Sequence, residues 1–152
     1  MPAFRLDPVL RYRTILEKIA ARKLADATTS VRLNELLLSK LKQDCHEALN
    51  ILNQYLEAGA DANFVANEGR IIRDSIFRIQ DQIKALQNSK NVFAQRQSMY
   101  IQCASEKKAV ELLREKFVQQ LREQLKQAEN KEMSEVGIRM FNKNSQDSQL
   151  RA

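Results

Sequence analysis

The sequence predicts an all-α protein, a long two-helix antiparallel coiled-coil hairpin with a helical overhang and a disordered C-terminal tail. Two long stretches carry apolar residues at alternating steps of four and three, the spacing of a heptad seam. The whole chain of 152 residues has three Gly and two Pro, too few for the turns of a many-stranded sheet. Aromatic residues make up 6%, charged residues 29%, and there is no Trp, so a globular core would be poorly supplied.

Helix 1 is expected over about 8–58. Asp7 is a suitable N-cap, and Pro8 fits the first helical position, where its missing N–H costs nothing. The seam reads Val9, Arg13, Leu16, Ala20, Leu24, Ala27, Val31, Asn34, Leu38, Leu41, Cys45, Ala48, Leu52 and Tyr55. Two steps of four meet at Leu16, Ala20 and Leu24, a stutter that would locally unwind a supercoil. The turn is expected over about 59–67, where Gly, Asp and Asn cluster. Gly59 can end helix 1 in a left-handed cap, and Asp61, Asn63 or Asn67 can start helix 2.

Helix 2 is expected over about 68–141. Its seam reads Ile72, Ile76, Ile79, Ile83, Leu86, Lys90, Phe93, Gln97 and Tyr100, with polar interruptions at Lys90 and Gln97. It continues through Cys103, Lys107, Val110, Leu113, Phe117, Leu121, Gln124 and Ala128, with a stammer at Gln97, Tyr100 and Cys103. One narrow apolar stripe with polar flanks must lie along another helix, and a short turn makes that helix the antiparallel neighbour. A fold about residue 62 would set Asn34 near Lys90 as a register-fixing polar pair, and Ala20 near Ala104. At these lengths helix 1 spans about 75 Å and helix 2 about 110 Å. The end of helix 2 from about Gln120 would then overhang. Residues 142–152 are polar and are expected to form a flexible tail. The chain to residue 141 reads as one domain.

The formal net charge of +6 and pI near 9.5 favour acidic partners. Basic residues gather at the start in Arg5, Arg11, Arg13, Lys18, Arg22 and Lys23. They form either a solvated positive face or a contact for an acidic protein surface, and without an aromatic platform nucleic acid fits less well. Cys45 and Cys103 lie far apart within helical patterns and read as reduced packing residues of a cytoplasmic protein. No apolar run approaches the roughly 20 residues that cross a bilayer, so any membrane association is expected to be peripheral.

Groups for enzyme chemistry do not converge. His46 is the sole histidine and has no second ligand nearby, so no metal site is expected. Gly59, Gly69 and Gly137 are too dispersed for a phosphate loop, and no other cofactor is implied. Glu132 and Glu135 lie one turn apart on a solvated helix and not in a cleft. Apolar residues off the seam, namely Ile71, Phe77, Leu33, Leu36 and Leu37, are either flank packing or contact positions.

The opening Phe4-Arg-Leu-Asp-Pro-Val-Leu-Arg-Tyr-Arg13, then Glu17 and Ile19-Ala-Ala-Arg-Lys-Leu-Ala25, resembles the N-terminus of the flagellar export protein FliJ family. So do the Gly-containing turn, Glu106-Lys-Lys108 before Leu112-Leu-Arg-Glu115, and Glu129-Asn-Lys-Glu-Met-Ser-Glu135 with Arg139. Family members usually have Asp-Glu where this chain has Ser134-Glu135. The resemblance implies a non-enzymatic part of the flagellar type III export apparatus, similar to the central stalk of rotary ATP synthases. Its partners would be the export ATPase hexamer, the cytoplasmic domain of the export gate FlhA, and export chaperones. The place implied is the cytoplasm, at the inner face of the membrane at the flagellar base.

Carried onto this sequence, Arg5, Arg11, Arg13, Lys18, Glu129, Glu132 and Glu135 would belong to the ATPase-binding end. Ile71, Phe77 and Arg78 would be export-gate contacts. The alternatives are the corresponding stalk of a virulence-type injectisome and a generic structural coiled coil.

Overall fold

The computed structural model describes residues 2–151 and consists of two helices, α1 (Asp7–Glu57) and α2 (Ala62–Leu150). There is no strand among the described residues. α1 starts one residue earlier than expected. The Leu6 carbonyl accepts from the Leu10 N–H at 2.9 Å, so Asp7 is the first helical residue. Its carboxylate sits in the first turn, where the helix dipole favours negative charge.

α1 ends as its glycine foretells. Gly59 has φ +81°, its N–H donates to the Leu56 carbonyl at 3.2 Å, and the Ala60 N–H donates to the Tyr55 carbonyl at 3.0 Å. This pair of bonds is a Schellman cap, which satisfies carbonyls that the helix leaves without partners. An added Cβ at Gly59 would meet nothing within 4 Å, so replacement acts through the backbone alone. Gly59→Ala is therefore expected to destabilise the protein by about 1 kcal/mol, measured by urea unfolding, with the helix content unchanged.

α2 starts at Ala62, several residues before the expected 68, so the connection is shorter than 59–67. Of the three possible starts, Asp61 is the one used, its carbonyl accepting from the Val65 N–H at 3.1 Å. Asn63, Asn67 and Gly69 lie inside the helix because packing outweighs their weak propensities. The ring of Phe64 meets that of Tyr55 edge-on at 4.8 Å, and Val65, Gly69 and Ile72 continue the shielded stripe toward the turn.

The chain divides into two compact units. One is Thr14–Ser105, which contains the turn, and the other joins the residues up to Arg13 with the chain from Glu106 onward. In the Thr14–Ser105 unit the two helices run antiparallel. α1 shields the expected seam from Leu16 to Leu52, with Ala20, Ala27 and Cys45 buried and Leu24, Val31, Asn34, Leu38, Leu41, Ala48 and Leu52 half-buried, whereas Tyr55 at its end is 49% exposed.

The α2 seam differs from expectation at every second position. Ile72, Ile79, Leu86, Phe93 and Tyr100 are shielded as expected, but Ser75, Gln82, Ser89 and Arg96 stand between them. Ile76 and Ile83 are 44% and 47% exposed on the flank, and Lys90 and Gln97 are exposed. The expected stammer at Gln97 disappears, since three–four alternation runs unbroken from Ile72 through Cys103.

The cause is Asn34. Its Nδ2 donates to the Ser89 hydroxyl at 2.6 Å and the Ser30 carbonyl at 3.0 Å, while its Oδ1 accepts from Gln82 Nε2 at 2.9 Å. The Ser30 and Ser89 hydroxyls lie 3.4 Å apart. Placing Ile83 and Lys90 inward would leave this half-buried amide without those partners, and unmet polar groups are costly. The pairs Ser30 with Ser89 and Tyr55 with Phe64 both centre the fold between Gly59 and Ala60, not at residue 62. Ser89, and not Lys90, faces Asn34, while Ala20 borders Met99 and Cys103.

In the other unit the start of α1 lies along 106–117. Glu106, Lys107, Val110, Glu111, Phe117 and Leu121 are half-buried, and every described residue from 122 on is exposed. The segment expected as a flexible tail over 142–152 is helical as far as Leu150; Ala152 lies outside the described residues. Side chains there bond locally, from Ser145 Oγ to the Phe141 carbonyl at 2.9 Å and from Ser148 Oγ to the Asn144 carbonyl at 2.8 Å.

Candidate functional site

The residues expected at the ATPase-binding end fall into three situations. Arg13 is already engaged, its Nη1 donating to Glu106 Oε2 with both side chains about one-third exposed. Arg5 and Arg11 are exposed and make no ion pair among the described residues. Lys18 is also exposed but belongs to the Thr14–Ser105 unit, unlike the others.

The N-terminal segment is fastened by three contacts. Besides the Arg13 pair, Asp7 Oδ1 lies 3.4 Å from Arg114 Nε, and the rings of Phe4 and Phe117 are 5.4 Å apart and tilted by 40°. The ion pairs are half-exposed and contribute little stability. Their charge does set which residues remain available. Arg13 serves internal pairing, leaving Arg5 and Arg11 as the outward cations.

Glu129, Glu132 and Glu135 are exposed on α2 beyond the last partnered residues. Glu129 lies twelve residues past Phe117, about 18 Å further along the helix at 1.5 Å per residue. The structure therefore does not bring these carboxylates to Arg5, Arg11 or Arg13. Glu129 and Glu132 share a shallow face with Met133 and Val136, an acidic and apolar stripe with no partner among the described residues. Leu125, Met140 and Phe141 are likewise exposed along this stretch.

The export-gate candidates are all solvent-facing. Ile71 and Arg78 lie seven residues apart on one flank of α2, and Phe77, 58% exposed, points about a quarter turn away. Leu33, Leu36 and Leu37 are exposed on α1. The periodicity also missed Ile76 and Ile83. It assigned them to the seam because an isoleucine at heptad spacing normally belongs there, and only the polar demand of Asn34 reveals otherwise.

Among the described residues no group of three or more His, Cys, Asp or Glu could hold a metal ion. His46 is exposed, Cys45 is buried and Cys103 is half-buried, and the two thiols are free. No helix among the described residues is long and apolar enough to cross a membrane. The concavities are shallow grooves along helix surfaces.

A family model described as "Flagellar FliJ protein" matches residues 2–146. No curated protein matches the chain. Among solved structures, that of CT670 from Chlamydia trachomatis, assigned as a YscO homolog, is similar at 17% sequence identity and a TM-score of 0.49. The match covers 96% of this chain and 99% of that one.

Proposed function

The chain belongs to the flagellar FliJ protein family, and from that membership we propose that it is a non-enzymatic, stalk-like component of flagellar type III protein export. In this reading it enters and stimulates the ring of the export ATPase, touches the cytoplasmic domain of the export gate FlhA, and escorts export chaperones. It works at the inner face of the membrane, held there by its partners.

The observation that best supports the reading is the unequal length of the two helices. α2 continues to Leu150, and from residue 122 every described residue is exposed, including Leu125, Met133, Val136 and Phe141. Apolar side chains without cover on a helix invite an outside partner. Arg5 and Arg11 supply cations on the same unit, and Glu129, Glu132 and Glu135 supply anions. Ile71, Phe77 and Arg78 remain the gate contacts of this proposal.

A single asymmetric helix pair inside a ring of equivalent subunits presents a different surface to each. It would bind some subunit conformations better than others, and a ligand shifts an equilibrium by that difference in affinity. Turnover of the export ATPase is expected to rise when the full chain is added at saturating amounts. A chain lacking 122–152 should remain a folded hairpin and lose the stimulation. Unchanged turnover with the full chain would refute the stalk role. The same experiment with an injectisome ATPase separates the flagellar reading from the virulence-type alternative.

A further inference from the structure

Within the Thr14–Ser105 unit, one flank of the helix pair holds a groove that the stalk reading leaves unused. Its floor is made by Ala20 of α1 and Cys103 of α2, and its apolar walls by Leu16, Ile19 and Met99. The groove exists because the seam carries alanine at position 20, where a larger residue would fill the space between the helices. About 130 Å³ is open there. That is close to the size of a cavity that accepts a benzene ring, and so it suits one large aliphatic or aromatic side chain. Ile19 and Met99 are about half exposed beside it.

Two cations stand at one end of this groove, Lys23 from α1 and Arg96 from α2. Neither has an ion-pair partner among the described residues. A shallower continuation passes between the same two residues to Ala27, Ser30 and Val92, with Asp26 at its edge. Asp26 forms no ion pair with either cation. An apolar furrow along a helix pair, ending between two uncompensated cations, has the character of a site for a helix of opposite charge.

We propose that this groove docks an amphipathic helix from a different protein, with one large apolar residue seated between Ile19 and Met99 and acidic residues reaching Lys23 and Arg96. A second copy of the chain is the less favoured occupant, since each copy carries a formal charge of +6 and two copies repel. The site stands on the groove alone and holds whether or not the chain stimulates an ATPase.

The probe is a designed 18-residue amphipathic peptide with leucines at i, i+3, i+4 and i+7 and glutamates on the flanks, labelled for fluorescence anisotropy, with the full chain as receptor. Saturable binding is expected, and the peptide should slow maleimide labelling of Cys103, with buried Cys45 as the internal control. The double variant K23E/R96E should bind about tenfold more weakly and prefer a lysine-flanked version of the peptide. Met99→Glu alters an exposed position and should also weaken binding while leaving the circular dichroism spectrum unchanged. The proposal is overturned if neither peptide binds, if both bind equally, if K23E/R96E changes nothing, or if Cys103 labels at the same rate. It is also overturned if the chain self-associates in sedimentation equilibrium and K23E/R96E abolishes that association.

Discussion

Ile72→Ala is expected to lower the free energy of unfolding by about 3 kcal/mol, the largest loss from any single truncation in the chain. Among the described residues four hydrophobic ones are buried, and Ile72, at 6% exposure, is the large aliphatic of the four. The others are Ala20, Ala27 and Cys45, which have little side chain to remove. Alanine is the better helix former by a few tenths of a kcal/mol, which offsets the cost only slightly. Ile76→Ala, four residues away but 44% exposed, should cost less than about 1 kcal/mol. The contrast is diagnostic. If the seam ran through Ile76, as simple periodicity suggests, the two variants would lose comparable amounts. Urea unfolding with unchanged m-values would decide the matter.

Replacing the polar layer is expected to act in the other direction. Asn34, Gln82 and Ser89 are half-buried and bonded to one another, so each has exchanged water for protein partners at small net gain. Asn34→Leu alone removes the partner of Gln82 and should cost about 1 kcal/mol. Asn34→Leu combined with Gln82→Leu removes both amides and leaves the Ser89 hydroxyl beside that of Ser30, and it should raise stability by about 2 kcal/mol above wild type. The gain should come with looser specification, because a lone polar layer penalises shifted pairings. Doubling of amide resonances in the double variant would report a second register. A double variant less stable than both single ones would show that the layer is not a compromise between stability and register.

The helical class, the break at Gly59 and the α1 seam were all open to reading from spacing. Each depends on local rules, namely heptad periodicity on one helix and the freedom of glycine to take positive φ. The α2 seam was only half readable. Isoleucine at positions 76 and 83 and serine at 75 and 89 give two competing phases. The choice between them depends on a residue of the other helix, Asn34, which no pattern within α2 contains. The start at Ala62 was hidden for a related reason, since Phe64 and Val65 gain neighbours on α1 only after the chain has turned.

Charge alone could not sort the basic residues of the opening segment. Arg13 is distinguished from Arg5 and Arg11 only by Glu106, more than ninety residues later. The groove between Lys23 and Arg96 was likewise out of reach, because expecting Gln97 in the seam turns Arg96 away from it.

Both the stalk reading and the docking groove require that one chain fold back upon itself in the register set by Asn34. Short bismaleimide cross-linking of a variant with Ser30→Cys and Ser89→Cys, in a background with Cys45→Ala and Cys103→Ala, tests this directly. The two hydroxyls are 3.4 Å apart in the wild-type structure. The account predicts rapid linkage within single chains, independent of protein concentration and absent when either new cysteine is omitted. Linkage found only between two chains, and rising with concentration, would contradict it.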